Sequence, residues 1–458
     1  MPDEPVTGPI LELGRRAAEP LPDARQELAR MHLFDALAAA LAGAATREGG
    51  NAVRHLDSLA GDAGIPAAAD MVLSLARRIR ATELDDLQLE SVTTAAAAVV
   101  PALLGAASVA GRSARGADEV LGALAAGYDV MFTLGLAAGG PDFLYRQRGW
   151  PSLVAAGPAA AVTTGRLLGL DATGIGHAIA LALLSTPRIT RAGGEDGRWL
   201  SFGLAVTAGF HAALAVLAGA HGPASLLDAP GAAAADGAGL FTGLGGALAL
   251  PWVPGAGLVK AHLKRWASAG QVAAAIDALG ELQGAHGFTA ADVTAIDVHV
   301  PPAYRKMIDQ PAGTGRLWSL LSAQYQLAAL LHCPQDLFDC ARPVLRDSPG
   351  FLRTLRTVRV HDAAALSARH PRSYPARVEV TLTDGSVADC LSDGRSPAPD
   401  WDWDTVLSKA LAVAAHTGSE AAIGALHEAA VRSGDSREFL ILTEPVLSGH
   451  APGFRARP

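Results

Sequence analysis

The stretch DVTAIDVHVP, residues 292–301, alternates apolar and polar side chains. Ile296, Val298 and Val300 occupy every second position, and the residues between them are polar. Because successive side chains of a β-strand point to opposite faces of a sheet, this alternation predicts a half-buried strand. The stretch also marks a boundary, since the pattern before it is helical and the pattern after it is mostly that of strands.

Two later stretches show the same alternation. LRTVRVHD at 355–362 carries it at Val358 and Val360, and ARVEVTLTDG at 376–385 ends in an Asp-Gly turn signal. Between the first and second predicted strands, WSLLSAQYQLAALLH at 318–332 has the spacing of a helix. The chain after about residue 285 therefore predicts a small α+β unit.

Upstream, residues 24–270 are dominated by Ala and Leu at helical spacing. ARQELARMHLFDALAAALAG at 24–43 is typical, because its large apolar residues fall near one helix face and Gly43 signals a helix end. The predicted fold class is mainly α, with a large all-helical domain and a smaller α+β lid domain. The predicted division is 1–268 for the helical domain, 269–397 for the lid domain, and 398–458 for a C-terminal segment that returns to the helical domain.

The composition argues against several classes of protein. Half of the 458 residues are hydrophobic, 18% are charged, and the formal net charge is -8. Because no basic stretch stands out except the tail FRARP, we expect no nucleic-acid partner. The three cysteines, Cys333, Cys340 and Cys390, include no Cys-x-x-Cys pair and indicate a reducing, cytoplasmic setting.

No targeting or membrane-spanning segment is predicted. The N-terminal stretch MPDEPVTGPILELGRR starts acidic and has no apolar core followed by a cleavage site. The apolar runs near 153–164 and 203–220 are rich in Ala and Gly and are interrupted by polar residues such as His211. Since roughly 20 strongly apolar residues are needed to span a bilayer, we expect buried helices and no membrane partner.

The stretch TELDDLQLESVTT, residues 82–94, gathers acids and hydroxyls just ahead of an apolar helix pattern. Close carboxyl groups cannot all ionise cheaply, so crowding among Glu83, Asp85 and Asp86 could raise one pKa and make that group an acid catalyst. The same acids could instead stabilise the start of the following helix, and Thr94 could cap it. Both interpretations are open.

Six stretches, in order along the chain, resemble one protein family. They are LFDALAAALAG (33–43), AAGYDV (125–130), AAGPAAAVTTGRLLGLD (155–171), KRWASAGQVAAAIDAL (264–279), SAQYQLAALL (322–331) and HPRSYPARVEVTLTDG (370–385). The family is MmgE/PrpD, which includes 2-methylcitrate dehydratase, cis-aconitate decarboxylase and iminodisuccinate epimerase. The resemblance implies a large helical domain, a smaller α+β lid domain, an active site between them, and a homodimer.

The resemblance also implies roles for the acidic stretch. Asp85 and Asp86 match the paired aspartates of the family, and Glu83 falls at its preceding acidic position. These three residues are therefore expected to be catalytic, and Thr94, which falls near a family histidine, is expected to bind substrate. Histidines that the family carries at several positions are replaced here, for example by Pro151.

Later positions supply candidate cations. Arg198 stands where the family has a lysine, so it keeps the charge but is a poor proton carrier. Lys264 matches a family lysine and Tyr325 an aromatic position, and the resemblance implies that all three bind substrate. His262 could be the missing group that titrates near neutral pH. The alternative to a binding role for Arg198 is that it is a surface arginine. The alternative to a catalytic role for His262 is that it lies in a solvated basic loop.

The resemblance implies a cofactor-independent lyase, a dehydratase or decarboxylase, that acts on a small citrate-like or aconitate-like carboxylate. One alternative is an isomerase or epimerase on the same scaffold. Another is a catalytically silent relative that binds a ligand or partner, which the missing histidines support. We expect no metal and no nucleotide cofactor, because the sequence has neither zinc-ligand spacing nor a phosphate-binding glycine loop.

Overall fold

The computed structural model describes residues 8–59, 67–110, 116–147, 149–186, 195–227, 248–249, 252–394 and 401–432. The fold is mainly α, as predicted. Two sets of elements can be distinguished by their apolar cores, and we call them the helical group and the α+β group. The basic tail FRARP and residues 395–400, which span the predicted boundary between the lid domain and the C-terminal segment, lie outside the described residues.

The helical group contains most of the helices. Its helices before the sheet are α1 (Pro9–Ala17), α2 (Gln26–Gly43), α3 (Arg47–Leu59), α4 (Ala68–Ala81), α5 (Ala96–Ala110), α6 (Ala117–Ala137), α7 (Gly140–Tyr145), α8 (Pro151–Leu168), α9 (Ala172–Leu184), α10 (Glu195–Leu217) and α11 (Ala256–Val259). The two-residue strands β1 (Leu87–Gln88) and β2 (Ala261–His262) lie between the two groups, because Leu87 packs in the core of the α+β group and Ala261 in that of the helical group.

The α+β group follows at residues 269–394. Its helices are α12 (Gly270–His286), α13 (Pro302–Ile308), α14 (Gly315–Leu321), α15 (Ala323–His332) and α16 (Pro349–Thr357). Its strands are β3 (Val293–Val300), β4 (Val358–Asp362), β5 (Ala376–Leu382) and β6 (Val387–Ser392). The last described helices are α17 (Trp403–Ala414) and α18 (Glu420–Arg432).

The helical core depends on the close approach of small residues. α8 is buried along almost its whole length, and α10 packs against it. A Cβ atom placed on Gly209 of α10 would lie 1.9 Å from the carbonyl oxygen of Gly157 in α8. These two helices therefore meet backbone to backbone, which a larger side chain at this position would prevent.

The sheet of the α+β group has the strand order β4-β3-β5-β6. β3 pairs parallel with β4 and antiparallel with β5, which places Val298 opposite both Val360 and Val378. All three valines are buried. The strands predicted from period-two alternation are confirmed, and α12 and α15 cover this apolar face.

The C-terminal helices α17 and α18 pack against α2 and share the core of the helical group. Lys409 of α17 donates one hydrogen bond to Asp35 Oδ1 at 2.7 Å and another to the carbonyl of Leu84 at 3.1 Å. The last described segment is therefore tied both to α2 and to the acidic stretch.

A buried ion pair joins the two groups. In Arg316 of α14, Nη2 and Nε lie 2.8 and 3.1 Å from Glu48 Oε2 in α3. Nη1 of the same guanidinium donates to the carbonyls of Ala81 at 2.7 Å and Cys340 at 3.1 Å. One side chain therefore fixes α3 and the end of α4 against the α+β group.

Among the described residues, two single helices are long and apolar enough to cross a membrane by length and composition alone, 118–137 in α6 and 197–217 in α10. Residues 23–59 would be a third if their two helices, bent by 87°, formed one span. The apolar window of the first is 89% buried inside the protein, as expected for a core helix, and that of the second is 44% buried. α10 leaves Leu204 and Leu217 exposed. The absence of a membrane partner stays a prediction.

Candidate active site

A short ribbon fixes the acidic stretch against a segment far along the chain. β1 pairs antiparallel with β2, with Leu87 opposite His262. The side-chain amide of Gln88 donates to the carbonyls of Tyr128 at 3.1 Å and Gly257 at 2.9 Å. The acids just before β1 are thereby held beside the basic segment that follows β2.

A cavity of about 610 Å³ opens beside this ribbon, where the helical and α+β groups meet. Its volume falls in the range of roughly 300–1,000 Å³ that is usual for small-molecule sites. The helical wall carries Arg80, Glu83, Thr94 and Arg198, and Lys264 reaches the cavity from the segment after β2. The structure therefore brings acids and cations from distant parts of the sequence to one site.

Glu83 is an acid that lines the cavity. Its carboxylate oxygens lie 3.0 Å from Lys264 Nζ and 3.1 Å from Arg80 Nη1, and one of them lies 3.9 Å from Arg198 Nη2. Burial would raise the pKa of Glu83, but the three cations outweigh burial and hold this pKa well below its usual value. Glu83 therefore stays ionised and serves as a counter-charge rather than as a proton donor.

Asp85 is fully buried beside Lys264. Its Oδ1 lies 3.1 Å from Arg80 Nη1 and 3.5 Å from Lys264 Nζ. Burial raises the pKa of Asp85 to about 6; Arg80 and Lys264 oppose this rise, and the charges of Glu83 and Asp86 add to it. Asp85 can therefore exchange a proton close to neutral pH, and Lys264 links it to the cavity.

The third acid, Asp86, is fully buried and is not part of the cavity lining. Its Oδ1 accepts a hydrogen bond from the backbone N–H of Ala96, the first residue of α5, at 3.0 Å. Its Oδ2 lies 3.4 Å from His32 Nδ1, which is 3.5 Å from the hydroxyl of Tyr128. These contacts agree with the helix-capping interpretation and give no support to a catalytic role for Asp86 at the cavity.

Arg198 lies against two tryptophan rings. Its guanidinium carbon is 4.8 Å from the ring centroid of Trp150 and 4.7 Å from that of Trp199, and Arg80 lies against the same rings. Stacking on indole faces orients the planar guanidinium. Burial lowers the pKa of Arg198 to about 10, so the group stays charged at neutral pH. A cation held in this way is suited to binding a carboxylate.

The acidic stretch has left-handed backbone near both ends, with φ of 53° at Glu83 and 55° at Val92. Side chains disfavour this region, most of all when β-branched, so neighbouring contacts must hold the conformation. The Ser152 hydroxyl donates to the carbonyl of Val92 at 3.3 Å and accepts from the backbone N–H of Thr94 at 3.2 Å. These bonds place Thr94 at the cavity wall, where it was predicted to bind substrate.

Four predicted site residues do not line this cavity: Asp85 and Asp86, which are buried behind it, and His262 and Tyr325. His262 belongs to β2 and lines a separate cavity of about 60 Å³. The hydroxyl of Tyr325 accepts a hydrogen bond from the backbone N–H of Arg346 at 3.2 Å, and its ring packs against Trp318 and Phe351 in the core of the α+β group. Core packing holds the side chain of Tyr325, and strand pairing holds the backbone of His262 beside the smaller cavity. Their catalytic and substrate-binding roles stay predictions.

Sequence analysis missed Arg80 and Trp199. Arg80 ends the pattern of α4 and resembles an ordinary basic residue at a helix terminus, yet it is buried between Glu83 and Asp85. Its position three residues before Glu83 was a signal that could have been used. Trp199 directly follows Arg198, and its burial against both arginines has no signature in the sequence.

The sequence also predicts that this protein binds no metal ion. Within the described part of the chain, no group of three or more His, Cys, Asp or Glu side chains could hold a metal ion. The absence of a metal or other cofactor stays a prediction, because it rests on residue spacing.

Two family models match this chain. The MmgE/PrpD N-terminal domain matches residues 15–235, and the MmgE/PrpD C-terminal domain matches residues 266–431. The fold and the site define a mainly α protein with a charged small-molecule cavity beside an α+β group. The chain belongs to the MmgE/PrpD family, which confirms the resemblance seen in the sequence.

Cis-aconitate decarboxylase of Aspergillus terreus is 38% identical to the chain over 130 residues. The protein of the same name from Aspergillus terreus strain NIH 2624 / FGSC A1156 gives the same figures. The match covers 26% of this chain and 26% of each relative, so the chain spans about a quarter of the length of the curated relatives it matches. At the level of the family, these findings support an enzyme of the dehydratase or decarboxylase type.

Proposed function

We propose that this chain is a cofactor-independent lyase that decarboxylates or dehydrates a small carboxylate substrate. The observation that supports it most is that Lys264 and Arg198 line one cavity while Asp85 is buried behind Lys264, 3.5 Å from its Nζ. A titrating acid lies behind an ammonium group, and an oriented guanidinium lies beside them. Membership of a family that includes lyases supports the same reaction class.

The cavity wall has an excess of positive charge. Arg80, Arg198 and Lys264 carry three positive charges, whereas Glu83 carries one negative charge and Asp85 is protonated in part near neutral pH. A bound carboxylate would neutralise the excess. The fork of Arg198 and the ammonium of Lys264 are positioned to accept it and to stabilise charge that develops during the reaction.

In the proposed decarboxylation, the bond between the carboxylate carbon and its neighbouring carbon breaks. Carbon dioxide leaves, and the electron pair stays on the neighbouring carbon. As Lys264 donates a proton to that carbon, Asp85 passes its own proton to Lys264, so protonated Asp85 is the source of the proton. Solvent then protonates Asp85 again. Dehydration requires a base at carbon as well as an acid at the leaving hydroxyl. Decarboxylation therefore needs fewer groups and is the reaction we place first.

The test follows the reaction in deuterated water. Purified protein is incubated separately with cis-aconitate, citrate and 2-methylcitrate, and NMR follows product formation and deuterium incorporation. We expect a product that has lost one carbon and carries deuterium at the position of the lost carboxylate. Deuterium exchange without loss of carbon dioxide or water would favour the isomerase or epimerase alternative. Neither exchange nor turnover with any acid would favour a catalytically silent relative.

Two variants separate proton transfer from binding. Asp85→Asn is expected to lower kcat about a hundredfold or more with little change in substrate affinity, because it removes the proton donor. Arg198→Ala is expected to weaken substrate binding more than it lowers kcat, because it removes the guanidinium that faces the carboxylate. Glu90→Gln is the matched control, since Glu90 pairs with Lys260 near the surface, at 2.6 Å. An unchanged kcat in Asp85→Asn would remove Asp85 from the mechanism.

A cytoplasmic homodimer is part of the same proposal, because the resemblance to the family implies it. Exposed apolar residues of α10, among them Leu204 and Leu217, would suit a contact between subunits. Sedimentation of the purified chain would measure its mass in solution, and a monomer at micromolar concentration would contradict this part of the proposal.

A further inference from the structure

The two walls of the cavity differ in chemistry. The helical wall carries the charged side chains described above, together with Leu87, Val92 and Trp150. The wall contributed by the α+β group carries Pro302, Ala303 and Met307 of α13 together with Leu321 of α14, and Leu144 of α7 adds a further apolar side chain. A ligand in this cavity therefore meets the cations on one side and a mostly apolar surface on the other.

Polar side chains near the apolar wall form hydrogen bonds with one another or are exposed to solvent. The amide of Gln271 donates to the hydroxyl of Tyr145 at 2.7 Å, and this hydroxyl donates to that of Tyr374 at 3.4 Å. Lys306 lines the cavity but is exposed to solvent. A carboxylate pressed against the apolar wall would lose water without gaining an equivalent partner, which costs free energy.

The size of the cavity also bears on its ligand. Cis-aconitate has a dozen heavy atoms, and even at the ~30 Å³ that a water molecule occupies in the liquid they would fill about 360 Å³. The cavity measures about 610 Å³, so substantial space is left beside such an acid. That space borders the apolar wall once the carboxylates face the cations.

We propose that the substrate carries an apolar substituent that packs against Met307, Leu321 and Leu144 while its carboxylate faces Arg198 and Lys264. The substrate class is then an alkyl- or alkenyl-substituted acid, rather than an acid with charged groups on every side. This inference rests on the proposed function, because it describes the substrate of the same site.

The experiment measures binding in a series of acids of constant charge. Succinate and its 2-methyl, 2-butyl and 2-hexyl derivatives are titrated into the full chain by calorimetry at neutral pH. Full burial of one methylene increases affinity about fourfold. We expect 2-butylsuccinate to bind at least about tenfold more tightly than succinate, since the cavity is open on one side and buries the chain in part.

Two neighbouring variants locate the effect. Met307→Gln keeps the length of the side chain but places an amide in the apolar wall, so it is expected to flatten the dependence on alkyl length and to leave succinate affinity within about twofold. Lys306→Gln alters the adjacent, exposed residue and is expected to leave the dependence on alkyl length unchanged. Circular dichroism spectra would show that both variants keep the fold.

Three results would overturn the inference. Equal affinity for all four acids would do so and leave the proposed function standing. A dependence on alkyl length that survives in Met307→Gln would place the substituent elsewhere. Loss of succinate binding in Lys306→Gln, without any gain from alkyl length, would mean that this wall binds charge. Failure of all four acids to bind the parent protein would instead contradict the proposed function, because its carboxylate site would be absent.

Discussion

Three carboxyl groups within four residues have three different environments. Glu83 faces three cations and stays ionised. Asp85 is buried next to one ammonium and one guanidinium, and its pKa is raised to about 6. Asp86 accepts the first N–H of α5. The side chains have nearly the same chemistry, so their surroundings decide which one can exchange a proton near neutral pH.

Replacing Glu83 by Gln is expected to lower the pKa of Asp85. The substitution removes a negative charge that disfavours ionisation of Asp85, and Arg80 and Lys264 keep their favourable effect. Protonated Asp85 is the active form in the proposed reaction, so kcat/KM of the parent protein should fall as the pH rises through about 6. In Glu83→Gln this fall should begin at lower pH.

The pH profiles of kcat/KM for the two proteins test this prediction. Glu90→Gln removes a carboxylate on the same stretch that pairs with Lys260 near the surface, and its profile should match that of the parent. A fall at the same pH in Glu83→Gln and in the parent would show that Glu83 does not set the proton affinity of Asp85.

Sequence patterns located the acids but not their partners. Resemblance selected Arg198 and Lys264, yet Lys264 lies 181 residues from Glu83 along the chain, and no local pattern encodes that contact. Arg80 was missed because a basic residue at the end of a helix is usually solvated. His262 was selected because it neighbours basic residues in sequence, but strand pairing places it at another cavity.

At the scale of elements, periodicity was sufficient for long helices and for three of the four strands of the sheet, whereas β6 was not predicted. β3, β4 and β5 all carry the alternation that predicts them. β1 and β2 have two residues each, which is too short for any period to be seen. The pairing of β1 with β2 could therefore not be predicted from the sequence, whereas the long helices and most of the sheet around the site could be.

Gly209→Ala is expected to separate α8 from α10. The added Cβ would lie 1.9 Å from the carbonyl oxygen of Gly157, so the helices must move, and the free energy of unfolding should fall by about 1–3 kcal/mol or more. Because α10 also carries Arg198, substrate affinity should fall in parallel. Urea unfolding and substrate titration would measure the two effects.

Gly197→Ala is the matched control on the same helix. A Cβ at this position meets no atom within 4 Å. Alanine favours a helix over glycine by up to about 1 kcal/mol, so this variant should be as stable as the parent or more stable. Similar destabilisation in both variants would contradict the close packing of α8 and α10.

At the scale of the whole molecule, buried ion pairs hold distant segments together. Arg316 and Glu48 join the α+β group to the helical group, and Lys409 and Asp35 join α17 to α2. Each charge has its partner from a remote part of the sequence. Hydrophobic periodicity predicts which segments form helices, but it carries no information about these pairings, so the relative placement of the groups could not be predicted from it.

Breaking the first of these pairs should be costly. Glu48→Ala leaves the buried guanidinium of Arg316 without its carboxylate, and the free energy of unfolding should fall by about 3–5 kcal/mol. The double variant Glu48→Met with Arg316→Met removes both charges and should be less destabilised than Glu48→Met or Arg316→Met alone, because each of these single variants leaves one buried charge without its partner. Urea unfolding of the two single variants and the double variant would give the coupling energy. Additive effects would show that the pair contributes no specific interaction.

The pairing of β1 with β2 has a consequence for variation in chain length. The two strands are joined by a long intervening segment, but the distance from Asp85 to Lys264 is set locally by the ladder that pairs Leu87 with His262. Insertions and deletions in the intervening surface loops should therefore leave the acid and the ammonium in register. A slip of one residue in that two-rung ladder would turn Lys264 toward the opposite face and disconnect the proton donor, however well the rest of the molecule folds.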